Sequence, residues 1–259
     1  MIGVFDSGVG GLGVLAEIRK TIPQADLIYL ADQARAPYGV RDLEELATIT
    51  AQVSRWLMER GATTIAIACN TASAAALHPL RSMYPGFPFV GMEPAVKPAA
   101  LTTSSGVIGV LATAATFQGE LFASVVQRHA GGVQVLARAC PEWVAMVEEG
   151  KVDGPETRSK VESCLRPLLD SGADTLVLGC THFAFLTRVI GAVAGEGVTV
   201  VDPAPAVARQ VGRVARGQSG SGRLILATSG DPDRFDRLAQ ALAGITATEP
   251  VLACVWNDD

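Results

Sequence analysis

Two cysteines stand where parallel α/β folds concentrate their chemistry. Cys69 follows the apolar run 64–68, and Cys180 follows a similar run at 176–179. Ligands bind at the carboxyl ends of parallel strands, where the next helix presents free N–H groups and the positive end of its dipole. That setting lowers the pKa of a thiol. A buried, inert cysteine is the commoner fate of a free thiol, but the pair predicts two reactive cysteines.

Polar residues follow each of the two thiols directly. Asn70 and Thr71 come after Cys69, and their side chains are donors suited to a carboxylate. His182 comes two residues after Cys180, which places an acid or base beside the second thiol. A cysteine with a histidine is compatible with nucleophilic attack and with proton transfer. The residue types alone leave both chemistries open.

The two cysteines lie at equivalent places in two similar halves of the chain. Residues 2–7 resemble residues 108–113, and residues 65–71 resemble residues 176–182. The separations, 106 and 111 residues, are nearly the same. The repeat predicts two similar α/β domains that face each other.

The elements that must position these residues alternate between strand and helix. Strands are predicted at residues 2–6, 27–31, 64–68, 87–90, 107–111, 133–136, 175–178, 198–201 and 224–227. Helices are predicted at residues 12–21, 43–60, 72–84, 117–129, 154–171 and 234–243. The strands are continuous apolar runs, which is typical of parallel strands covered on both faces. The fold class is therefore α/β, with two open parallel sheets related by pseudo-twofold symmetry and the active site in the cleft between them.

The domain boundaries follow from the repeat. We expect residues 1–92 and 205–259 to form the first domain, which carries Cys69, and residues 93–204 to form the second, which carries Cys180. The tail of the chain would then return to the first domain with a strand and a helix.

A glycine loop after the first strand supports a rival interpretation. Gly8-x-Gly10-x-x-Gly13 matches the dinucleotide-binding pattern, and Asp32 stands 19 residues further on, where a ribose-binding acid is expected. Against that interpretation, Asp6 lies directly before the glycines, where its charge would repel a pyrophosphate. A dinucleotide enzyme would also leave the paired cysteines unexplained.

Composition narrows the class of protein. Apolar residues make up 49% of the 259 residues, charged residues 18%, and the net charge is -5. Mild acidity disfavours a nucleic-acid or anionic-membrane binder, and no apolar run reaches the length of a membrane span. The five cysteines include no C-x-x-C pair, and the three histidines are scattered. We therefore expect no disulfide framework, no metal site, no secretory signal and a reducing cytoplasm.

Four motifs together carry a family resemblance. They are Asp6-Ser7-Gly8, Ala34-Arg35-x-Pro37-Tyr38-Gly39, Ala68-Cys69-Asn70-Thr71-Ala72-Ser73 and Leu178-Gly179-Cys180-Thr181-His182. In this order, the motifs resemble those of the glutamate racemases, cofactor-independent enzymes of the aspartate/glutamate racemase superfamily. The chain departs from the usual pattern at Ala31, Ala115, Phe183, Ala184 and Pro203.

The resemblance implies roles for individual residues. Cys69 and Cys180 would be the two acid/base residues, with Asp6 and His182 as their respective helpers. Substrate contacts would come from Asp6, Ser7, Tyr38, Gly39, Asn70, Thr71, Thr181 and His182. Three further site residues would be Glu148, Thr113 and Thr116.

The resemblance also implies a function and partners. The enzyme would interconvert L- and D-glutamate without a cofactor, supply D-glutamate for peptidoglycan, and form a homodimer in the cytoplasm. The alternatives are a racemase for aspartate, and a weakly active protein on the same fold that inhibits DNA gyrase.

Two thiols suit racemisation for a geometric reason. The α-proton leaves one face of the substrate and another proton returns to the opposite face, so two bases on opposite sides are needed. By the resemblance, Cys69 deprotonates D-glutamate and Cys180 deprotonates L-glutamate. Hydrogen-bond donors such as Asn70, Thr71 and Thr181 would stabilise the charge that develops on the substrate carboxylate.

Overall fold

The structure is a computed structural model that describes residues 1–217 and 220–256. Its first sheet has six described strands in the spatial order β10-β9-β2-β1-β3-β4, and every pairing is parallel. They are β1 (Ile2–Asp6), β2 (Leu27–Ala31), β3 (Thr64–Ile67), β4 (Phe89–Val90), β9 (Leu224–Thr228) and β10 (Leu252–Ala253). The second sheet, in the order β6-β5-β7-β8, is also parallel. It contains β5 (Val107–Ala112), β6 (Gln134–Ala139), β7 (Thr175–Leu178) and β8 (Thr199–Val201).

Helices connect the strands and cover the sheets. In chain order they are α1 (Leu12–Thr21), α2 (Leu43–Glu59), α3 (Asn70–Met83), α4 (Val96–Thr102), α5 (Ala114–Gln118), α6 (Glu120–His129), α7 (Pro141–Glu148), α8 (Pro155–Asp170), α9 (Thr187–Ala194), α10 (Ala204–Val214) and α11 (Pro232–Ala243). Short 3₁₀ helices occupy Gln33–Arg35, Tyr38–Val40 and Thr181–Leu186. None of the described helices is long and apolar enough to cross a membrane.

The central strands explain why the sequence forms parallel sheets. Every residue of β1, β2, β3, β7 and β9 is buried, so these apolar runs are covered on both faces. Strand β6 lies at an edge of the second sheet and is largely exposed. The predicted fold class, two parallel α/β sheets, is confirmed.

Several elements differ from the sequence prediction. The predicted helix 117–129 is two helices, α5 and α6, that meet at Gly119 in an extended conformation. A Cβ atom at Gly119 would lie 2.8 Å from that of Ala74 on α3, so the break lets two helices pack closely. The sequence analysis does not predict helices α4, α7, α9 and α10 or strand β10. All of these except α10 are short, whereas α10 has 11 residues and a proline in its first turn.

The expectation of no disulfide is wrong, because Cys140 and Cys164 form one with a Cα–Cα distance of 6.4 Å. Cys140 follows β6 and caps α7, and Cys164 lies on the buried face of α8. Packing of α8 beside β6 brings the two together, and their separation of 24 residues matches no sequence motif. The other described cysteines, Cys69, Cys180 and Cys254, are free.

The chain runs through the two sheets in the order that the repeat suggests. Strands β5 to β8 all lie between residues 107 and 201, and the chain then returns to the first sheet with β9 and β10. The boundaries at residues 93 and 204 remain a prediction. Residues 218–219 and 257–259 of the predicted first domain lie outside the described residues.

Candidate active site

The carboxyl ends of the two sheets face each other across a narrow cleft. Its walls are formed by Ser7, Tyr38, Gly39, Cys69, Asn70, Thr71, Thr113, Val144, Cys180, Thr181 and His182. All of these except Val144 were predicted as site residues from the sequence. The space between them has room for about one water molecule, so the cleft is closed in this conformation.

Cys69 lies between strand β3 and helix α3 and is the N-cap residue of that helix. Its Sγ accepts a hydrogen bond from the N–H of Ala72 at 3.5 Å, as an N-cap side chain does. Burial nevertheless raises the pKa of the Cys69 thiol well above its ordinary value, and the nearby charges of Asp6 and Cys180 raise it further. The expectation that the helix N-terminus lowers this pKa is therefore wrong, because desolvation outweighs the helix.

Cys180 follows strand β7 and begins the 3₁₀ helix Thr181–Leu186. Its Sγ lies 3.8 Å from Nδ1 of His182, and both side chains are buried. The predicted proximity of these two residues is therefore present. The short helix turns His182 back towards the thiol that precedes it.

His182 is held by a carboxylate that the sequence indicated only through the resemblance. Its Nε2 lies 2.7 Å from Oε1 of Glu148, the last residue of α7. Burial alone would lower the pKa of His182, but hydrogen bonds to Cys180 and Glu148 outweigh it and raise this pKa well above its ordinary value. Burial would likewise raise the pKa of Glu148, yet the hydrogen bond and charge of His182 lower it. Both shifts favour the ionised form of the pair, which places a cation beside the Cys180 thiol.

Two donors from the first sheet also bind the Glu148 carboxylate. The backbone N–H of Val9 donates to Oε1 at 2.7 Å, and Nε2 of Gln33 donates to Oε2 at 2.7 Å. Glu148 thus joins the loop after β1, the loop after β2 and the His182 side chain. The role of Gln33 was missed, and no sequence signal relates it to a residue 115 positions away.

Asp6, the last residue of β1, reaches across the cleft. Its Oδ2 accepts from Oγ1 of Thr181 at 2.9 Å, and its Oδ1 accepts from the N–H of Gly8 at 2.9 Å. Burial raises the pKa of Asp6, although the positive charge of His182 and these donors act against it. Its predicted partner Cys69 feels the Asp6 charge, which raises the thiol pKa.

Asn70 is a polar side chain with no partner. Both its Oδ1 and its Nδ2 are buried and make no hydrogen bond to the residues that the structure describes. Buried amides are almost always paired, since an unpaired polar atom costs about 1–3 kcal/mol. Because Asn70 lines the cleft, a polar ligand bound there would satisfy both atoms.

Three threonine hydroxyl groups meet at one end of the cleft. Oγ1 of Thr71 lies 2.9 Å from Oγ1 of Thr113 and 3.2 Å from Oγ1 of Thr116, and the last two are 3.0 Å apart. Thr71 belongs to α3, Thr113 is the N-cap residue of α5, and Thr116 lies within α5. The cluster connects the two halves and offers several hydroxyl donors to a bound anion.

The rival dinucleotide interpretation is inconsistent with the environment of Asp32. This buried carboxylate accepts hydrogen bonds from the side chains of Arg35, Tyr38, Ser229 and Trp256 at 2.5–2.8 Å. With both oxygens engaged, it is not free to bind a ribose. Its role is to orient Tyr38, which lines the cleft.

The glycines of the first loop serve close packing between the halves. A Cβ atom at Gly8 would overlap the carboxylate of Glu148, and one at Gly10 would overlap the side chains of Thr181 and His182. Gly39 behaves similarly, because its Cβ would lie 2.6 Å from that of Thr113. Gly8, Gly10 and Gly39 therefore allow close contact across the cleft.

Comparison with known proteins gives a consistent family. Residues 13–211 match the family described as Asp/Glu/Hydantoin racemase. The chain is 50% identical over 248 residues to a glutamate racemase of Roseiflexus, covering 93% of this chain and 91% of that protein. It is similar to the crystal structure of Escherichia coli glutamate racemase in complex with L-glutamate and an activator, UDP-MurNAc-Ala, with a TM-score of 0.87, 30% identity and coverage of 98% and 97%.

A third protein is a glutamate racemase from Francisella tularensis in complex with D-glutamate. The TM-score is 0.83 and the identity 25%, with coverage of 98% of this chain and 96% of that one. The family match spans well over half of the chain, and the whole of the second sheet and both cysteine loops fall within it. The chain belongs to the Asp/Glu/hydantoin racemase family.

Proposed function

We propose that this protein is a glutamate racemase that interconverts L- and D-glutamate by two-base proton transfer, without a cofactor. The observation that carries the proposal is a pair of buried thiols, Cys69 and Cys180, that line one cleft from opposite sheets. The related proteins described above are glutamate racemases.

The proton transfers follow from this arrangement. A thiolate on one side takes the α-proton and becomes a thiol, while the electron pair of the C–H bond stays on the substrate as a carbanion. The thiol on the opposite side then gives its proton to the other face and becomes a thiolate. Cys69 would act on D-glutamate and Cys180 on L-glutamate.

Different helpers suit the two thiols. The cationic His182 beside Cys180 stabilises a thiolate there, and Glu148 keeps the imidazole charged. The described charges that act on Cys69 are negative and burial raises its pKa, so we expect Asp6 to accept its proton. A buried carboxylate with a raised pKa is a stronger base than an exposed one.

The polar residues of the cleft suit a dicarboxylate amino acid. The amide of Asn70 and the hydroxyl groups of Thr71 and Thr113 can donate to carboxylate oxygens, while the hydroxyl of Thr181 already donates to Asp6. Ser7 and the backbone at Gly39 complete the wall. Two of the related structures hold L-glutamate and D-glutamate respectively.

The cellular setting is part of the same proposal. D-Glutamate made by this enzyme would enter peptidoglycan. The two cleft thiols, which must stay reduced, fit a cytoplasmic location, whereas the Cys140–Cys164 disulfide is of a kind uncommon in that compartment. We propose a homodimer as the working unit, which suits a charged fraction of only 18%. We also propose that the chain forms two domains, one made of residues 1–92 and 205–259 and the other of residues 93–204.

Solvent exchange at the α-carbon tests the activity directly. The purified protein is incubated without cofactor in deuterated water with D- or L-glutamate, and deuterium uptake and enantiomer content are followed by NMR and chiral chromatography. We expect both enantiomers to exchange and to reach an equal mixture. No exchange with either enantiomer would overturn the proposal, and faster turnover of aspartate would favour the alternative substrate.

A further inference from the structure

Glu148 joins the two halves of the molecule at the cleft. It lies on α7, which follows strand β6 of the second sheet, and it bonds to His182 of the same half. Its two other donors, Val9 and Gln33, follow strands β1 and β2 of the first sheet. Widening of the cleft would therefore separate Glu148 from both of these donors while leaving it beside His182.

Gln33 is oriented for this contact by a third segment. Oγ1 of Thr228, the last residue of β9, accepts from the N–H of Gly230 at 2.9 Å and lies 2.9 Å from Oε1 of Gln33. Because the ionised Glu148 carboxylate only accepts, Nε2 is the Gln33 atom that faces it, and Oε1 is left to accept from the Thr228 hydroxyl. The Gln33 side chain also packs against Gly230, where a Cβ would lie 3.0 Å away.

We infer that Gln33 is a positioning residue that couples closure of the cleft to the Cys180 side of the reaction. In the closed state its amide fixes the Glu148 carboxylate, which fixes the His182 imidazole against the Cys180 thiol. The inference rests on the proposed function, since it assigns Cys180 a proton to move. It adds a residue that touches neither substrate nor thiol.

Closure matters because the cleft is too small for the substrate to enter as it stands. The space among the wall residues holds about one water molecule, and a glutamate molecule is several times larger. Entry therefore requires the cleft to open, and opening breaks the bonds from Val9 and Gln33. The His182–Glu148 pair then loses its fixed geometry until the cleft closes on the substrate.

A nearly isosteric change at Gln33 tests this coupling through pH. Gln33→Glu replaces the amide that lies 2.7 Å from the Glu148 carboxylate with a second carboxylate. The two carboxylates can form a hydrogen bond only when one of them is protonated. We expect the ratio of its kcat/KM to that of the wild type to be near one at about pH 6. The ratio should fall about tenfold by about pH 8, as that proton is lost. Gln240→Glu, on the exposed face of α11, makes the same charge change and should keep a constant ratio.

Two further variants keep the inference open to refutation if Gln33→Glu fails to fold. Gln33→Met keeps the side-chain length but cannot donate, and Thr228→Val removes the hydroxyl that orients the amide. Both should lower kcat/KM by about tenfold at every pH, mainly through kcat, with circular dichroism spectra like the wild type.

The outcomes separate this inference from the proposed function. A wild type that exchanges no α-proton refutes the proposed function. A wild type that racemises, with a Gln33→Glu ratio that is flat with pH or with Gln33→Met at full rate, refutes only the role of Gln33.

Discussion

At the residue scale, the two thiols are chemically unequal. Cys180 has a cation next to it, because His182 is bound by Glu148 and its pKa is raised. Cys69 instead accepts weak hydrogen bonds from the backbone N–H groups of Ala72 and Ser7, and burial raises its pKa. The two cysteines therefore occupy equivalent positions in the two halves, but different groups contact their sulfur atoms.

Loss of either thiol should stop racemisation in both directions. We expect Cys69→Ala and Cys180→Ala each to lower kcat/KM at least 1000-fold for D- and for L-glutamate, on the order of 4 kcal/mol, because one base cannot serve both faces. Circular dichroism at a fixed wavelength follows the loss of optical activity. Cys254→Ala is the matched control, since Cys254 is also buried and free but outside the cleft wall. Racemisation at the wild-type rate by Cys180→Ala would refute the two-base mechanism.

The His182–Glu148 pair should also give stability that depends on pH. The pKa of Glu148 is lowered from 4.5, so its contribution is present above that value and is lost as the pH falls through the folded-state pKa. The pKa of His182 is raised from 6.5, so its contribution is complete below that value and is lost as the pH rises through the folded-state pKa. Both contributions are complete between pH 4.5 and pH 6.5.

Urea unfolding of Glu148→Gln measures this contribution. We expect the variant to be less stable than the wild type by about 3 kcal/mol between pH 5 and 6, because it leaves a buried imidazolium without its partner. The difference should shrink at alkaline pH and at strongly acidic pH. Glu149→Gln, the exposed neighbour, is the control and should follow the wild type. A difference that does not vary with pH would contradict the ionised pair.

At the element scale, the loop between β1 and α1 owes its glycines to packing. The backbone at Gly8 and Gly10 lies directly against Glu148, Thr181 and His182 of the other half. Gly13 differs, since it lies within α1 and its Cβ would meet only Phe185 Cζ at 4.0 Å. A pattern that looks like one motif therefore contains positions with different physical requirements.

The two kinds of glycine should respond oppositely to alanine. Gly10→Ala should destabilise the protein by about 2 kcal/mol and lower activity at least tenfold, because the methyl group pushes the two halves apart. Gly13→Ala should leave activity intact and stabilise the protein by up to about 0.5 kcal/mol through helix propensity. Thermal unfolding and the racemisation assay measure both. Equal damage from the two substitutions would contradict the packing argument.

At the scale of the whole molecule, the two sheets share a hydrophobic core. One continuous cluster of buried side chains includes Leu12 and Leu15 of α1 together with Trp143 of α7 and Phe183 and Leu186 of the short helix after β7. The cleft is therefore bordered by one hydrophobic core to which both halves of the molecule contribute. This packing allows small opening motions while it ties the stability of one half to the other.

Unfolding should therefore be a single cooperative transition. We expect scanning calorimetry to show one peak with equal calorimetric and van't Hoff enthalpies, because neither half keeps its core when the other unfolds. Residues 93–204 expressed alone should stay unfolded for the same reason. Two separated peaks, or a folded fragment with native-like amide dispersion, would contradict this expectation.

The sequence by itself determined the class of fold and the residues that are candidates for the chemistry. Continuous apolar runs predict buried parallel strands, and the carboxyl end of such a strand is where Cys69 and Cys180 had to lie. The tertiary structure decided what each residue contacts. The bonds from Val9 and Gln33 to Glu148 span 139 and 115 residues, and the disulfide spans 24.

Local patterns encode periodicity and turns, but contacts between distant segments depend on how the two sheets pack. That packing raised the pKa of Cys69 where the local helix alone would lower it. It also explains the glycine loop after β1, whose sequence resembles a phosphate-binding loop. In the structure, Gly8 and Gly10 of this loop pack directly against the other half of the molecule.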